Sequence, residues 1–285
     1  MVKTVLYTTS AAERPVPFLQ IFVLALVQGI TEFLPISSSG HLVLVPVLTH
    51  WPDQGQDMDI AVHVGTLGAV VLYLWRDIWA MLVGLGRSLR GRKDPGARLF
   101  WQLIVGTIPV VICGFAAKKL LGEEFFRSVT IIGWSMLLWG IVLWLADVMS
   151  LTVKRMEHMP WFDAIAIGAS QVLALLPGTS RSGITMTAAR ALGYERSDAA
   201  RFSMLLSIPT IVGAGVLAGK DIYEAGDPVM TQTALIAVAL SFVSALITIT
   251  ILMSWLKRAS FTPFVLYRVV FGIFLIALSY GWVQV

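Results

Sequence analysis

Along the chain, apolar stretches alternate with short polar connections, and two of those stretches are broken in the middle. Leu19 to Leu34 predicts an apolar helix that stops at Pro35, and a second short apolar piece runs from His41 to Leu48 after Ser37-Ser38-Ser39-Gly40. Neither piece approaches the ~20 residues a helix needs to span a bilayer. Together they predict a re-entrant hairpin, which is tolerated at membrane depth only where protein or a water-filled cavity surrounds it. A second broken pair is expected at 161–176 and 182–193, and full spans at 59–75, 99–117, 129–149, 201–218, 232–255 and 262–283. The expected fold is an all-α polytopic membrane protein of six transmembrane helices and two re-entrant helix pairs, one integral membrane domain over residues 1–285.

Composition agrees with that class. The 285 residues are 57% hydrophobic and 13% charged, with a mean hydropathy of +0.80, against about 25% charged in an average soluble protein. The net charge of +4 would suggest nucleic acid only as a stripe on a soluble domain, whereas here the basic residues lie between apolar spans. Cys113 stands alone inside an apolar span, which excludes a disulfide framework and a thiolate metal site. The segment between Lys3 and Arg14 is too polar for a signal-peptide core and reads as a short exposed tail.

The basic residues orient the plan. Of 21 Lys and Arg, 13 fall on connections expected on one face and 6 on the other, so the richer face is cytoplasmic and both termini lie outside. The first hairpin then enters from outside and the second from inside, as in an inverted repeat of roughly 18–149 and 161–283. A second trace of duplication is the pair of Ile-Pro steps, Trp101 to Pro109 and Arg201 to Pro209, each expected one span beyond a broken hairpin. Broken helices related this way meet near the midplane and form a site there. Gly213, Gly215 and Gly219 would permit close helix packing, within one chain or in a homodimer.

The two breaks carry the candidate chemistry. Gln28 and Glu32 are four apart and share a helix face. A carboxyl in an apolar span needs a cavity or a partner, the bland alternative being a bond to the broken backbone near Pro35. Ser37, Ser38 and Ser39 stand where a helix begins, so hydroxyls and free N–H groups make an anion site there, with one of the three expected to act as a plain N-cap. His41 lies three residues beyond Ser38, with Ser, Gly and Glu for company. His50, His63 and His158 lack such company and read as structural. In the second break Gly178 and Gly183 let the backbone approach a ligand, and Thr179, Ser180 and Ser182 add hydroxyls. Arg181 wants a bidentate anionic partner, either phosphate or Glu32 in an internal ion pair. Arg268, near the start of the last span, reads as snorkelling to the interface.

These residues in this order are similar to the bacitracin-resistance type of undecaprenyl-diphosphate phosphatase. The likeness rests on Gln28 to Glu32, Pro35 to His41 and Pro177 to Thr185, with further likeness over Phe202 to Pro209 and Phe261 to Arg268. It covers nearly the whole chain. Gln28 departs from the Glu found in many members, although the pattern allows either. The resemblance implies removal of the terminal phosphate from undecaprenyl diphosphate, recycling the carrier for peptidoglycan synthesis, at a bacterial inner-membrane site open to the extracytoplasmic side. It implies Glu32, Ser38, His41 and Arg181 as catalytic, with Gln28, Ser37, Ser39, Thr179, Ser180 and Ser182 binding substrate.

On this reading Arg181 and the Ser-rich turns grip the diphosphate, Ser38 or a water attacks, and Glu32 or His41 takes the proton. A divalent cation, Mg²⁺ or Ca²⁺, bridging diphosphate and Glu32 fits the chemistry, but no ligand cluster requires it. The lipid substrate and membrane lipids are the expected partners, with no nucleic acid. Two rivals stand beside this reading. A transporter or flippase for a lipid-linked phosphate or another anion would use the same residues to bind rather than cut. Acid-phosphatase-like membrane enzymes need a Lys-x6-Arg-Pro segment and a second His followed by Asp, and the chain has neither.

Overall fold

The computed structural model describes residues 17–52, 54–225 and 228–283; the tail with Lys3 and Arg14 lies outside them. Its elements are helices: α1 (Phe18–Thr31), α2 (Ser38–Thr49), α3 (Gly55–Tyr73), α4 (Trp75–Ser88), α5 (Pro95–Leu120), the single turn α6 (Glu123–Phe126), α7 (Val129–Met149), α8 (Trp161–Ser170), α9 (Arg181–Ala191), α10 (Arg196–Ala225), α11 (Pro228–Leu256) and α12 (Thr262–Ser279). The lone extended pairing among the described residues is a bridge between Lys154 and Tyr194.

The helices are apolar on the outside as well as the inside. Phe22, Leu26 and Ile30 form an exposed row on α1, Leu138, Ile141 and Leu145 one on α7, and Val243, Ile247 and Ile251 one on α11. Exposed apolar residues at helical spacing over polar buried ones suit a lipid solvent rather than water. Four helices, at Pro95–Ala117, Val129–Met149, Gln232–Leu256 and Thr262–Ser279, are long and apolar enough to cross a membrane, and α3 with α4 makes a fifth if the bent pair counts as one span. The protein is thus a multi-pass helical membrane protein.

Two differences from the sequence reading have physical causes. The segment after Leu74, expected as a basic connection, is the helix α4, bent 76° from α3. Arg76, Asp77 and Arg87 made it look like a loop, but Trp75, Trp79 and Leu82 recur at helical spacing on one exposed apolar face. Asp77 pairs with Arg201 of α10, which ties α4 down. The Ile-Pro steps also fall in non-equivalent places. Pro109 is inside α5, with both α3 and α4 between it and the first hairpin, whereas Pro209 is inside α10, directly after the second.

Apolar burial drives helix association weakly in lipid, so small residues must let backbones touch. Each hairpin helix uses this against a long helix. A Cβ on Gly29 of α1 would stand 2.8 Å from the Ala245 nitrogen of α11, and one on Gly168 of α8 would stand 2.6 Å from the Gly106 carbonyl carbon of α5. Gly213 has open space where a Cβ would sit, and Gly215 and Gly219 fall outside the described surroundings. At the opposite end from the first hairpin's turn, buried Asp147 accepts from Arg190 and Arg196 at 2.8 Å each, locking α7 to α9 and α10. Gly168→Ala should lower stability by about 1–3 kcal/mol through overpacking, read as a fall in the melting temperature of purified protein in detergent. An unchanged melting temperature would show that α5 and α8 have room to part.

Candidate active site

The two hairpins make the same turn. In each a serine adopts the left-handed region, Ser37 at φ 74° and Ser180 at φ 72°, a conformation uncommon outside glycine. Each hydroxyl accepts from the glycine N–H three residues on, Gly40 at 3.4 Å and Gly183 at 3.1 Å. Each also lies beside the serine two residues on, Ser39 at 3.3 Å and Ser182 at 3.2 Å. The capping hydroxyl satisfies an orphan donor of the helix that follows, which offsets the strained backbone. Ser37 is therefore the serine that caps, and Ser180 is its counterpart. The residue after the cap is Ser38 in one turn and Arg181 in the other.

Those two residues meet on Glu32. Helix α1 ends at Thr31, three residues before the expected stop at Leu34, which puts Glu32 on the first turn of the break. Its Oε1 accepts from Arg181 at 2.7 Å. Its Oε2 accepts from Gln28 Nε2 at 2.9 Å and from the Ser38 hydroxyl at 2.6 Å. The carboxylate is buried, and the ion pair foreseen as one of two fates for Arg181 is formed. The Ser182 hydroxyl reaches the Glu32 and Leu34 carbonyls at 3.1 and 3.0 Å, so the second turn is bonded to the backbone of the first. Three buried polar atoms of this region, Arg181 Nη1, Gln28 Oε1 and the Thr179 hydroxyl, have no hydrogen-bond partner among the described residues. Buried polar atoms are nearly always paired, so these mark where a polar ligand would sit. Ser39 is exposed.

Arg268 corrects the sequence reading. It does not snorkel: it is fully buried, and no carboxylate among the described residues accepts from it. Its guanidinium donates to the carbonyls of Pro35 at 3.2 Å, Gly178 at 3.2 Å and Thr179 at 3.0 Å, and to Met136 and Ser135 of α7. Gly140 makes room for it, since a Cβ there would stand 3.0 Å from the Arg268 Cβ. Gly272, one turn further along α12, lies against Gly133, and that spacing was the available clue that this face of α12 looks inward.

The histidines also sort differently. His41 is not brought onto Glu32. Its Nδ1 bonds the Ser37 carbonyl at 2.6 Å, its Nε2 bonds the Tyr267 hydroxyl at 2.5 Å, and its ring stacks on Tyr267 and Phe271. His63, read as structural, instead places Nε2 3.4 Å from Glu32 Oε2. Asp59, His63 and Thr66 recur at helical spacing in an apolar span, a polar stripe that could have flagged it. Among the described residues, His50 Nδ1 bonds the Val47 carbonyl at its own helix end.

The fold and this junction define a multi-pass membrane protein in which a buried carboxylate meets a half-buried hydroxyl and guanidinium between two broken helices. Residues 21–274 match the family described as bacitracin resistance protein BacA. The chain is 53% identical over 262 residues to the undecaprenyl-diphosphatase of Ruegeria pomeroyi, covering 92% of this chain and 98% of that protein. It is 51% identical over 268 residues to undecaprenyl-diphosphatase 1 of Rhodospirillum rubrum, with 92% and 95% covered, and 52% identical over 262 residues to the undecaprenyl-diphosphatase of a Jannaschia species, with 92% and 98% covered. The chain belongs to the BacA family.

Replacing Arg268 with Met would leave several buried carbonyls without their donor, a loss of about 3 kcal/mol or more. Thermal unfolding in detergent should show it, and Arg268→Lys, with one point charge in place of a planar fork, should recover only part of it.

Proposed function

We propose that this chain hydrolyses undecaprenyl diphosphate to undecaprenyl phosphate and inorganic phosphate. The observation that carries the reading is the half-used guanidinium of Arg181, whose Nη2 holds Glu32 while Nη1 stays buried and unpartnered beside a hydroxyl hydrogen-bonded to the same carboxylate. The relatives' names, all diphosphatases, support a hydrolase over a transporter or flippase. Regeneration of the carrier serves peptidoglycan synthesis and lowers the target of bacitracin, in keeping with the family's description.

In this reading Arg181 Nη1, the Thr179 hydroxyl and the helix starts at Ser38 and Arg181 receive the diphosphate oxygens. The Ser38 oxygen attacks the terminal phosphorus and Glu32 takes its proton. The bond from that phosphorus to the bridging oxygen breaks, and undecaprenyl phosphate leaves with the proton. Water, deprotonated by Glu32, then attacks the phosphorus of the phosphoserine, the bond to the Ser38 oxygen breaks, and Glu32 returns the proton to that oxygen as phosphate leaves. Glu32 is the acceptor rather than His41, because Ser38 donates to Glu32 while His41 Nε2 is taken by Tyr267. His41 contributes through the Ser37 carbonyl, which it holds. Ser37, Ser180 and Ser182 set the turns, Gln28 steadies Glu32, and Ser39 lies at the exposed rim.

No group of three or more His, Cys, Asp or Glu among the described residues is arranged to hold a metal. Both oxygens of Glu32 are taken by protein donors, one of them a cation. The residues present do not form a divalent-cation cage, and Mg²⁺ or Ca²⁺ would enter with the diphosphate.

The finer architecture belongs to the same proposal. The matched caps at Ser37 and Ser180, and the matched close packing of α1 on α11 and α8 on α5, support an inverted repeat of 18–149 and 161–283 within one domain. The distribution of basic residues supports both termini on the extracytoplasmic side, and the family resemblance supports the site's opening on that same side.

The test is phosphate release from a long-chain prenyl diphosphate by purified protein in detergent. Arg181→Ala and Glu32→Ala should each lose about 10²–10³-fold, the scale of removing one transition-state donor, while remaining folded. Ser38→Ala should lose at least as much, and near-normal turnover in it would replace the serine nucleophile with direct water attack. No release by folded wild type, with or without Mg²⁺ or Ca²⁺, would overturn the enzyme reading.

A further inference from the structure

We infer that His63 is a positioning residue for Glu32, one that keeps the carboxylate from closing on Arg181 and so keeps the phosphate site open; this rests on the reading above. His63 sits on α3, which belongs to neither broken hairpin. Its Nδ1 is committed to the Asp59 carbonyl one turn back at 2.6 Å, which fixes the ring and aims Nε2 at Glu32 Oε2, 3.4 Å away. With Nδ1 donating to that carbonyl, the ring offers Nε2 as a second donor when it carries both protons.

The pairing of Glu32 with Arg181 explains why a third partner on Oε2 matters. Arginine and carboxylate favour a two-fold fork of parallel hydrogen bonds. Here one limb is made, Nη2 to Oε1, and the other is not, since Nη1 has no partner among the described residues. Oε2 is turned away from Nη1 by Gln28 from its own helix, Ser38 from the first turn and His63 from α3. During turnover Ser38 must leave Oε2 to attack phosphorus. His63 and Gln28 are then the contacts that stop the carboxylate from rotating into the fork and covering Nη1. The His63 side chain is 30% exposed against 4% for Glu32, so it reaches the junction from its open side and walls it there.

The prediction separates binding from chemistry. Without His63, Glu32 forks onto Arg181 and diphosphate must break two bonds to enter. His63→Leu should raise KM by about tenfold or more, the scale of losing one close charge contact to a buried carboxylate, with kcat within about twofold of wild type. His63→Gln, whose amide nitrogen reaches about as far as Nε2, should restore KM. His63→Asn is polar but too short to reach Glu32, should behave like Leu, and carries the test if the Leu variant does not fold. Wild type and Arg181→Ala run alongside, because failure of the phosphatase reading would appear as no release by wild type whatever stands at 63. A wild-type KM in the Leu or Asn variant, or a Gln variant as impaired as Leu, would overturn the assignment.

Discussion

A guanidinium bonded to backbone carbonyls, with no carboxylate among the described residues to neutralise it, holds the centre of this protein. Broken helices leave carbonyls without intrahelical donors, and in lipid each unsatisfied group costs several kcal/mol. Arg268 answers that cost at both breaks at once, donating to Pro35 in the first and to Gly178 and Thr179 in the second while anchored to α7. A lysine could not do this from one point, and an ion pair would consume donors the turns require. With the loops bound to a common hub, Ser182 can bond the backbone of the first turn, and the residues that follow the two capping serines arrive on one carboxylate.

The repeated cap shows how a strained backbone becomes a site. Ser37 and Ser180 adopt a conformation that glycine would take more easily, and each offsets it by accepting from the helix it begins. The following position is thereby thrown inward at a helix start, where free N–H groups favour an anion. The chain fills one copy of that position with a hydroxyl and the other with a cation, Ser38 and Arg181. Two copies of one turn thus supply complementary halves of the proposed phosphate site.

Much of this was legible because lipid leaves few options. Proline followed by Ser, Thr and Gly signalled a break, and Glu32 and Arg181 in apolar surroundings needed partners, so their pairing was one of the two outcomes that charge offered. What stayed hidden depended on side-chain direction. Arg268 lies close enough to a span's end to snorkel, and only the small residues Gly140, Gly133 and Gly272 around it tell that it turns inward. His63 lies 31 residues from Glu32 on another helix, and His41, although beside the serines in sequence, turns to Tyr267. Helix α4 escaped because its charges mimic a loop, although Trp75, Trp79 and Leu82 recur along one exposed face at helical spacing.

The pair of Glu32 and Arg181 has to be stable when empty yet yield to a ligand. A buried charge left alone is strongly destabilising, so each needs the other in the free protein. A complete fork would bind Arg181 too well for phosphate to compete on equal terms. The observed arrangement lies between, with one limb made and the carboxylate's second oxygen held elsewhere. An incoming phosphate can then take the free Nη1 before it disturbs Nη2. In the proposed mechanism the arriving anion draws Arg181 off Glu32, and a carboxylate that loses its cationic partner becomes a stronger base for the Ser38 hydroxyl proton. The geometry that keeps the empty site intact is therefore the same geometry that readies its base.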